Sequence, residues 1–488
     1  MTPHSHPSLP ASTATPPIDV VIMAAGRGVR MKSKLPKVLH RLAGRPLVQH
    51  VADTATALSA RHVVVVTGHG ADLVESCITL SAGTNGLTTP VMPSAPSSLH
   101  FVRQEPQLGT GHAVQQAVPV LPDDGVVLVL SGDVPLTQPD TLSRLIALCE
   151  GHQLALLTID MADPTGYGRI IRLGDRVRAI VEHKDASVAQ LAITEVYSGI
   201  MAVPVRLLKG WLARLDNHNA QGEYYLTDIV KLAVADAATV VAHKISDALQ
   251  VAGVNSPVQL AELERAFQHR IALQLMESGV RLADPARLDV RGHLRCGTDV
   301  SIDVNCVFEG QVDLASNVSV GAHCVIKNAR IAADAVIHPF THIEGGMGND
   351  IVDVGAGSFI GPFARLRPGA KLGEQVHIGN FVEVKNSSLA AGAKANHLAY
   401  LGDATVGERV NYGAGSITAN YDGAFKHRTV IEADVHIGSN CVLVAPLVVG
   451  AGGTVGGGST LTKDTPANAL TVARARQVSI NNWKRPHK

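Results

Sequence analysis

The stretch VGAGSFIGPFARLRPGAKLGEQVHIGNFVEV, Val354 to Val384, places an aliphatic residue at every sixth position: Val354, Ile360, Leu366, Leu372, Ile378 and Val384. The same step governs Ile431, Ile437, Leu443, Val449, Val455 and Leu461, and earlier Ile302, Phe308, Leu314, Val320 and Ile326. Hexapeptide repetition marks a parallel β-helix, in which each hexad supplies one short strand and points one aliphatic side chain into a narrow tube. Such a tube takes Val, Ile and Leu and leaves little room for rings, which accounts for a chain that is 46% hydrophobic but 3% aromatic, with 46 glycines. The register breaks between Ile343 and Val354, after Val384, and between Tyr412 and Ile431, where loops are expected to leave the coil.

Upstream of about Asp284 the pattern differs. Ile18–Ile22, Val63–Val66 and Val126–Leu130 are continuous β-branched or aliphatic runs separated by helical stretches, as in a mostly parallel sheet covered by helices on both faces. Ser256-Pro257-Val258-Gln259 then offers an N-cap, a first-turn proline and a capping-box glutamine, and Leu260, Leu263, Phe267, Ile271 and Leu275 mark the apolar stripe of a connecting helix. The expected organisation of the 488 residues is a disordered extension over 1–17, a Rossmann-like α/β domain over 18–255, a linker helix over 256–284 and a β-helix with a C-terminal tail over 285–488.

The charge balance, 42 basic against 42 acidic residues, provides no global field for nucleic acid or an anionic membrane, so anionic ligands must be met by local basic groups. No apolar run spans a bilayer and the N-terminus lacks a signal-peptide core, which points to the cytoplasm. The six cysteines form no CxxC pair and are expected to be buried free thiols.

Directly after the first strand comes Met23-Ala24-Ala25-Gly26-Arg27-Gly28-Val29-Arg30-Met31, then Leu35-Pro36-Lys37. Small residues let backbone N–H groups approach a triphosphate, and Arg30 and Lys37 supply positive charge for a leaving pyrophosphate. The loop is neither a Walker A motif nor a complete dinucleotide fingerprint. Ser131-Gly132-Asp133-Val134-Pro135 stands at the carboxyl end of the Val126 strand, where open α/β sheets bind ligands, so Asp133 is a candidate Mg²⁺ ligand.

Together with Gln107-Leu108-Gly109-Thr110-Gly111-His112, Gly166-Tyr167-Gly168-Arg169, Glu182-His183-Lys184-Asp185 and Gly253-Val254-Asn255, these motifs resemble the sugar-nucleotide pyrophosphorylases. With the hexapeptide half, the chain from Ile18 to Pro486 resembles the bifunctional bacterial family that joins an N-acetylglucosamine-1-phosphate uridylyltransferase to a glucosamine-1-phosphate N-acetyltransferase and so supplies UDP-N-acetylglucosamine for peptidoglycan and lipopolysaccharide. The resemblance implies a left-handed β-helix, a homotrimer with each acetyl-transfer site between adjacent β-helices, and Mg²⁺, UTP, acetyl-CoA and glucosamine 1-phosphate as cofactor and substrates.

By position, the resemblance assigns Met23, Ala24, Ala25 and Gly26 to the nucleotide cradle, Arg30 and Lys37 to the triphosphate and Gln104, Gly109 and Thr110 to the uracil. It places Asp133 and Asn255 on Mg²⁺, and Ser131, Gly132, Gly168, Glu182 and Tyr197 along the nucleotide sugar. Two positions depart from the family: Ser131 stands where an aromatic is common, and Tyr197 where an asparagine contacts the sugar. In the second half it assigns Arg367, Lys385, Tyr400 and Asn411 to glucosamine 1-phosphate, and Ala414, Asn420, Tyr421, Ser439, Gly457 and Arg474 to acetyl-CoA, with Lys426 close by. His397 is the expected general base, since imidazole titrates near working pH and can take the proton of an attacking amine. The tail around Trp483 is expected to pack on a neighbouring subunit.

Two other readings compete. The β-helix can be purely structural, leaving a single-function pyrophosphorylase, but a scaffold does not need His397, Lys385, Arg367 and Asn420-Tyr421. The 22 histidines prompt a zinc site at His338 and His342, which lack a carboxylate-supported cluster.

Overall fold

The computed structural model describes residues 16–80 and 97–486. The reading of a disordered extension therefore falls outside the described residues up to position 15. Pro17 is tied to the sheet, its carbonyl accepting from the Val126 N–H at 2.9 Å. The chain divides into two compact units, Met1–Ala266 and Phe267–Lys488.

In the first unit the strands of the main sheet are β1 Ile18–Met23, β2 His62–Thr67, β3 Ser98–Arg103, β4 Val126–Ser131, β5 Leu154–Asp160, β6 Arg169–Leu173, β7 Arg176–Val181, β8 Glu195–Pro204 and β9 Val240–Ile245. The main path of the sheet is β9-β5-β8-β4-β1-β2-β3, with β6 and β7 attached beside β8. Alternate residues of β1 serve different cores: Val20 and Ile22 pack on one side and Val21 on the other, all fully buried, which is why the run reads as uninterrupted aliphatic sequence. The sheet is mixed, because β8 runs antiparallel to both β4 and β5. Its register with β5 shifts between Tyr197 and Met201, a bulge that includes Gly199 at φ 88° and re-aims the neighbouring side chains.

The connecting helix runs Pro257–Glu277. Its start departs slightly from a standard capping box. The Gln259 N–H donates to Ser256 Oγ at 3.2 Å, while the Gln259 side-chain oxygen accepts from the N–H of Asn255, one residue further back, at 2.8 Å. The cap thus fixes the backbone of Asn255, a candidate ligand.

In the second unit all paired strands within the coils are parallel and stack into rows along the tube. Row one includes Phe359–Ile360, His377–Asn380, Lys394–His397 and Asn411–Tyr412; row two includes Arg365–Leu366, Glu383–Lys385, Tyr400–Gly402 and Ile417–Ala419; row three includes Lys371–Leu372, Ser388–Leu389, Ala404–Val406 and Thr429–Ile431. Successive strands of one chain visit rows one, two and three in turn, so three hexads close one coil. The strand Arg281–Leu282 already joins row one beside Ser301–Ile302.

Pairing shows how the register breaks are accommodated. Ile360 pairs with Ile378, eighteen residues on, whereas Ile337 pairs with Ile360, twenty-three on, and Tyr412 with Ile437, twenty-five on. The extra residues form excursions around 345–351 and 420–428. No loop leaves after Val384: Leu372 pairs with Leu389, seventeen residues on, and the coil is simply one residue shorter at a corner where Asn386 has φ 44°.

The tube also admits rings. Phe308 and Tyr412 are 1% and 2% exposed, and Tyr412 pairs with Ala395, whose small side chain leaves space in the adjacent layer. Tyr412 is therefore an interior residue and does not line a site. Cys149, Cys306, Cys324 and Cys441 are buried, but Cys77 is exposed, against expectation, because it ends the helix Ala71–Cys77 on its outer side.

Candidate functional sites

In the first unit, the loop after β1 and the carboxyl end of β4 lie side by side: the Gly132 N–H donates to the Met23 carbonyl and the Ala24 N–H to that of Val66, at 2.9 and 2.8 Å. Gly28, at φ 61°, turns the chain where a Cβ would stand 2.5 Å from that of Lys37, so glycine allows the loop to close against Lys37. The Lys37 ammonium donates to Asp133 Oδ2 and, at 3.2 Å, to Asn255 Oδ1. Arg30 donates to the same Asn255 oxygen at 2.9 Å. The Val254 N–H donates to the Asp133 carbonyl at 3.0 Å, holding the two candidate ligands together.

Two oxygen donors that converge on an ammonium match the hard, oxygen-preferring coordination of a small divalent cation, so the donor set fits the metal that the sequence implies. Ser131 has a visible role here. Its hydroxyl donates to Asp133 Oδ1 at 2.6 Å and orients the carboxylate.

Gln104, Gly109 and Thr110 also come together. The Gln104 side-chain amide, almost fully buried, donates to the Gly109 carbonyl at 2.8 Å, and the Thr110 hydroxyl accepts from the Leu226 N–H at 3.1 Å. A Cβ on Gly109 would stand 2.6 Å from the Tyr224 carbonyl. Around the expected sugar pocket, the Tyr197 N–H donates to the Gly168 carbonyl at 2.9 Å. Glu182 accepts from the Thr227 hydroxyl at 2.8 Å, and burial, reinforced by Asp228, Asp185 and Glu223, raises its pKa above the ordinary glutamate value. The Tyr197 hydroxyl is buried without a protein partner. Burial first, then the Glu182 charge, pushes its pKa well up, so the phenol stays neutral.

In the second unit the candidate residues fall into two columns at opposite edges of row two. One edge carries Arg367 and Lys385, one coil apart, followed by Asp403 and Asn420. Arg367 donates to Glu383 at 2.8 Å. Asp403, 7% exposed, accepts from the side-chain amides of Asn386 and Asn420 and so ties the corner after Lys385 to the start of the 420–428 excursion. Lys426 reaches back from that excursion: its proximity, then desolvation and Arg367, hold the Lys385 ammonium below the usual lysine range. Three cations gathered in this way suit a doubly charged phosphate. Within the excursion, Asp422 accepts from the backbone of Phe425 and Ala424 and from His427, which holds its carboxyl far below the usual range.

The other edge carries His397, then Ala414, Ser439, Gly457 and Arg474 in successive coils. Backbone bonds Gly415 to His397, Asn440 to Ala414 and Gly458 to Ser439 link the first four, at 3.3, 2.7 and 2.8 Å, and Arg474 donates to the Gly457 carbonyl at 2.7 Å. The exposed His397 ring is held by Asn380 in the preceding coil. Tyr400 folds its ring over Gly402, where a Cβ would stand 2.3 Å from the phenol oxygen. Tyr421 is exposed, its hydroxyl donating to the Gly423 carbonyl at 2.6 Å. Asn411 is not gathered with Arg367, Lys385 and Tyr400: it lies in row one, between Lys394 and His436.

Residues 20–192 match the family model for the MobA-like NTP transferase domain. Over 473 residues, 96% of this chain and 100% of the relative, the sequence is 76% identical to the bifunctional protein GlmU of Albidiferax ferrireducens. It is 72% identical to the protein of that name from Polaromonas naphthalenivorans (97% and 98% covered) and 54% identical to that from Nitrosospira multiformis (96% and 98% covered). The chain belongs to the GlmU family.

Within this GlmU chain, sequence reading missed Thr227 behind Glu182, although it lies just after Tyr224-Tyr225 in a chain of seven tyrosines. Asn380 and Asp403 stand in the polar stretches Asn380–Lys385 and Asn396–Asp403 that the sequence marks out, but their roles, behind His397 and between Asn386 and Asn420, come only from the structure. Among the described residues no group of three or more metal-ligating side chains is present and no helix is long and apolar enough to cross a membrane. His338 instead lies beside the Phe359 ring at 6.4 Å.

Proposed function

We propose that this chain acetylates glucosamine 1-phosphate in the β-helix and uridylylates the product in the α/β unit, releasing UDP-N-acetylglucosamine and pyrophosphate for cell-wall precursors in the cytoplasm. On this reading residues 18–255 form the uridylyltransferase, 256–284 the linker and 285–488 the acetyltransferase. The observation that carries it is the second site: His397, held by Asn380, together with the Arg367, Lys385 and Lys426 cations, is chemistry that a purely structural β-helix does not require.

In acetyl transfer, His397 Nε2 accepts a proton as the amine of glucosamine 1-phosphate attacks the thioester carbonyl. The C–N bond forms, the C–S bond breaks and coenzyme A leaves as the thiol after taking a proton. Arg367 and Lys385 hold the sugar phosphate, with Tyr400 beside it. Asn420, Tyr421, Ala414, Ser439, Gly457 and Arg474 receive acetyl-CoA.

In uridylyl transfer, a phosphate oxygen of N-acetylglucosamine 1-phosphate attacks the α-phosphorus of UTP in line, and the bond to pyrophosphate breaks. Asp133 and Asn255 would hold Mg²⁺, whose charge helps neutralise the phosphates. Arg30 and Lys37 then turn from Asn255 and Asp133 to the phosphate oxygens, Gln104, Gly109 and Thr110 take the uracil, and Gly168, Glu182 and Tyr197 take the sugar.

The division of Asn411 and Tyr400 between different rows supports a homotrimer in which one copy supplies part of its neighbour's site. Incubation with glucosamine 1-phosphate, acetyl-CoA, UTP and Mg²⁺, leaving out one component at a time, tests both activities. UDP-N-acetylglucosamine should require all four; its formation from UTP and N-acetylglucosamine 1-phosphate, with no acetylation of glucosamine 1-phosphate, would return the β-helix to a scaffold role.

A further inference from the structure

Three polar side chains converge at one edge of the first unit's sheet, where β3 ends the main strand path. β2 and β3 pair in parallel, His62 opposite Ser98 and Val64 opposite His100. Residues two apart on a strand share a face, so His62, Ser98 and His100 stand on one face, each partly buried. His62 Nδ1 lies 2.5 Å from Ser98 Oγ and 3.3 Å from His100 Nε2, and His100 Nε2 lies 3.1 Å from the same hydroxyl. The two rings are tilted by 58° with centroids 5.2 Å apart, so their nitrogens meet and their faces do not stack.

Two imidazole lone pairs facing each other at this distance repel unless a proton or a cation lies between them, and the single hydroxyl proton can serve only one of them. A tetrahedral Zn²⁺ bound to imidazole at about 2.0–2.1 Å keeps its ligand atoms about 3.3–3.4 Å apart, which matches the separation of the two nitrogens. The backbone beneath them is fixed. The Ser98 N–H and hydroxyl both donate to the Arg61 carbonyl, at 3.1 and 3.3 Å, and the Arg61 guanidinium is held by Asp19 at 2.7 Å. Neither histidine takes part in the chemistry proposed for either candidate site.

We propose that His62 and His100, completed by the Ser98 hydroxyl and water, bind one divalent transition-metal ion of the zinc class. Two imidazoles are fewer than a closed structural zinc site takes, so Ser98, a small rotor, takes a third position or holds a bound water there. The donor atoms sort the ion. The oxygens of Asp133 and Asn255 suit Mg²⁺, whereas imidazole nitrogen prefers Zn²⁺, Ni²⁺ or Cu²⁺, so the two sites of this unit do not compete for one metal. A bound ion ties the edge strand β3 to β2, and β3 runs directly into Gln104 of the candidate uracil pocket. The site thereby braces the strand that delivers Gln104.

The test is calorimetric titration of the full-length protein with Zn²⁺ alone, in excess Mg²⁺ so that the oxygen-donor site is filled. The chain has 22 histidines, so the readout is a difference between proteins. Wild type should bind one equivalent that His62→Gln and His100→Gln each lose or bind at least about tenfold more weakly, while replacement of the exposed His152 by Ala should change nothing. Co²⁺ in place of Zn²⁺ should give wild type the visible absorption of a four-coordinate ion, absent from both variants. Equal zinc binding by wild type and either variant, or absorption that survives in both, overturns the site. If neither variant folds, wild type alone decides: Zn²⁺ should protect His62 and His100, and not His152, from diethyl pyrocarbonate, as read by peptide mass spectrometry, and equal modification with and without Zn²⁺ overturns the proposal.

Discussion

His397 Nδ1 and Asn380 Oδ1 stand 2.8 Å apart on neighbouring coils of row one. An amide oxygen only accepts, so the ring proton resides on Nδ1 and Nε2 keeps its lone pair. The stacked tube thus selects the tautomer that a base requires. Replacing His397 by Ala should lower acetyl transfer by about 10²- to 10⁴-fold while sparing uridylyl transfer. Asn380→Asp should move the acid limb of the kcat/KM profile to higher pH, because a carboxylate beside the ring stabilises imidazolium. An unmoved limb would mean that this pair does not set the base.

Lys37 currently bridges Asp133 and Asn255. Asp133→Asn keeps the shape but removes the charge that a cation needs. Binding of Mn²⁺, followed by its electron paramagnetic resonance signal, should weaken at least tenfold, and pyrophosphate release from UTP should fall by about two orders of magnitude or more. Acetyl transfer should not change. Undiminished Mn²⁺ binding would dismiss Asp133 as a ligand.

The Tyr197 hydroxyl forms no bond with the protein, so Tyr197→Phe should leave stability unchanged or raise it by about 1 kcal/mol, through removal of an unsatisfied buried group. If the hydroxyl serves the sugar, KM for N-acetylglucosamine 1-phosphate should rise with kcat nearly constant. Tyr197→Asn should instead cost about 3 kcal/mol, because it empties a buried ring site.

Glu182 has a folded pKa raised by burial. The group therefore favours the fold below the ordinary glutamate pKa, and that contribution is lost as pH rises through the raised value. Glu182→Gln removes the penalty of the buried charge. Its unfolding temperature should match wild type near pH 4 and exceed it increasingly toward pH 7, by an amount worth about 1 kcal/mol. A constant difference across that range would separate Glu182 from the effect.

The tube and its sheet neighbour were legible because their rules are local. Aliphatics in steps of six, β-branched runs buried on both faces and a Ser-Pro-x-Gln helix start each act within a few residues. What escaped depends on partners far away in sequence. β8 is antiparallel because it inserts between β4 and β5, and nothing in its own ten residues says so. Tyr412 turns inward because Ala395, one coil below, makes room. Ser131 is explained only by the Asp133 oxygen that it reaches, and Asp403 only by the two amides that meet on it.

The two excursions, near 345–351 and 420–428, leave the tube from the same edge, four coils apart. Distance along a stack of coils is counted in whole strands, so the spacing from Arg367 to Lys385 to Asn420 comes in steps of about 4.8 Å and cannot drift with small substitutions. Removal of one eighteen-residue coil would preserve every neighbouring hydrogen-bond pattern and yet bring the two excursions one notch closer. The solenoid is a ruler with a fixed graduation, and the reach from Arg367 to Asn420 is an integer written in its sequence.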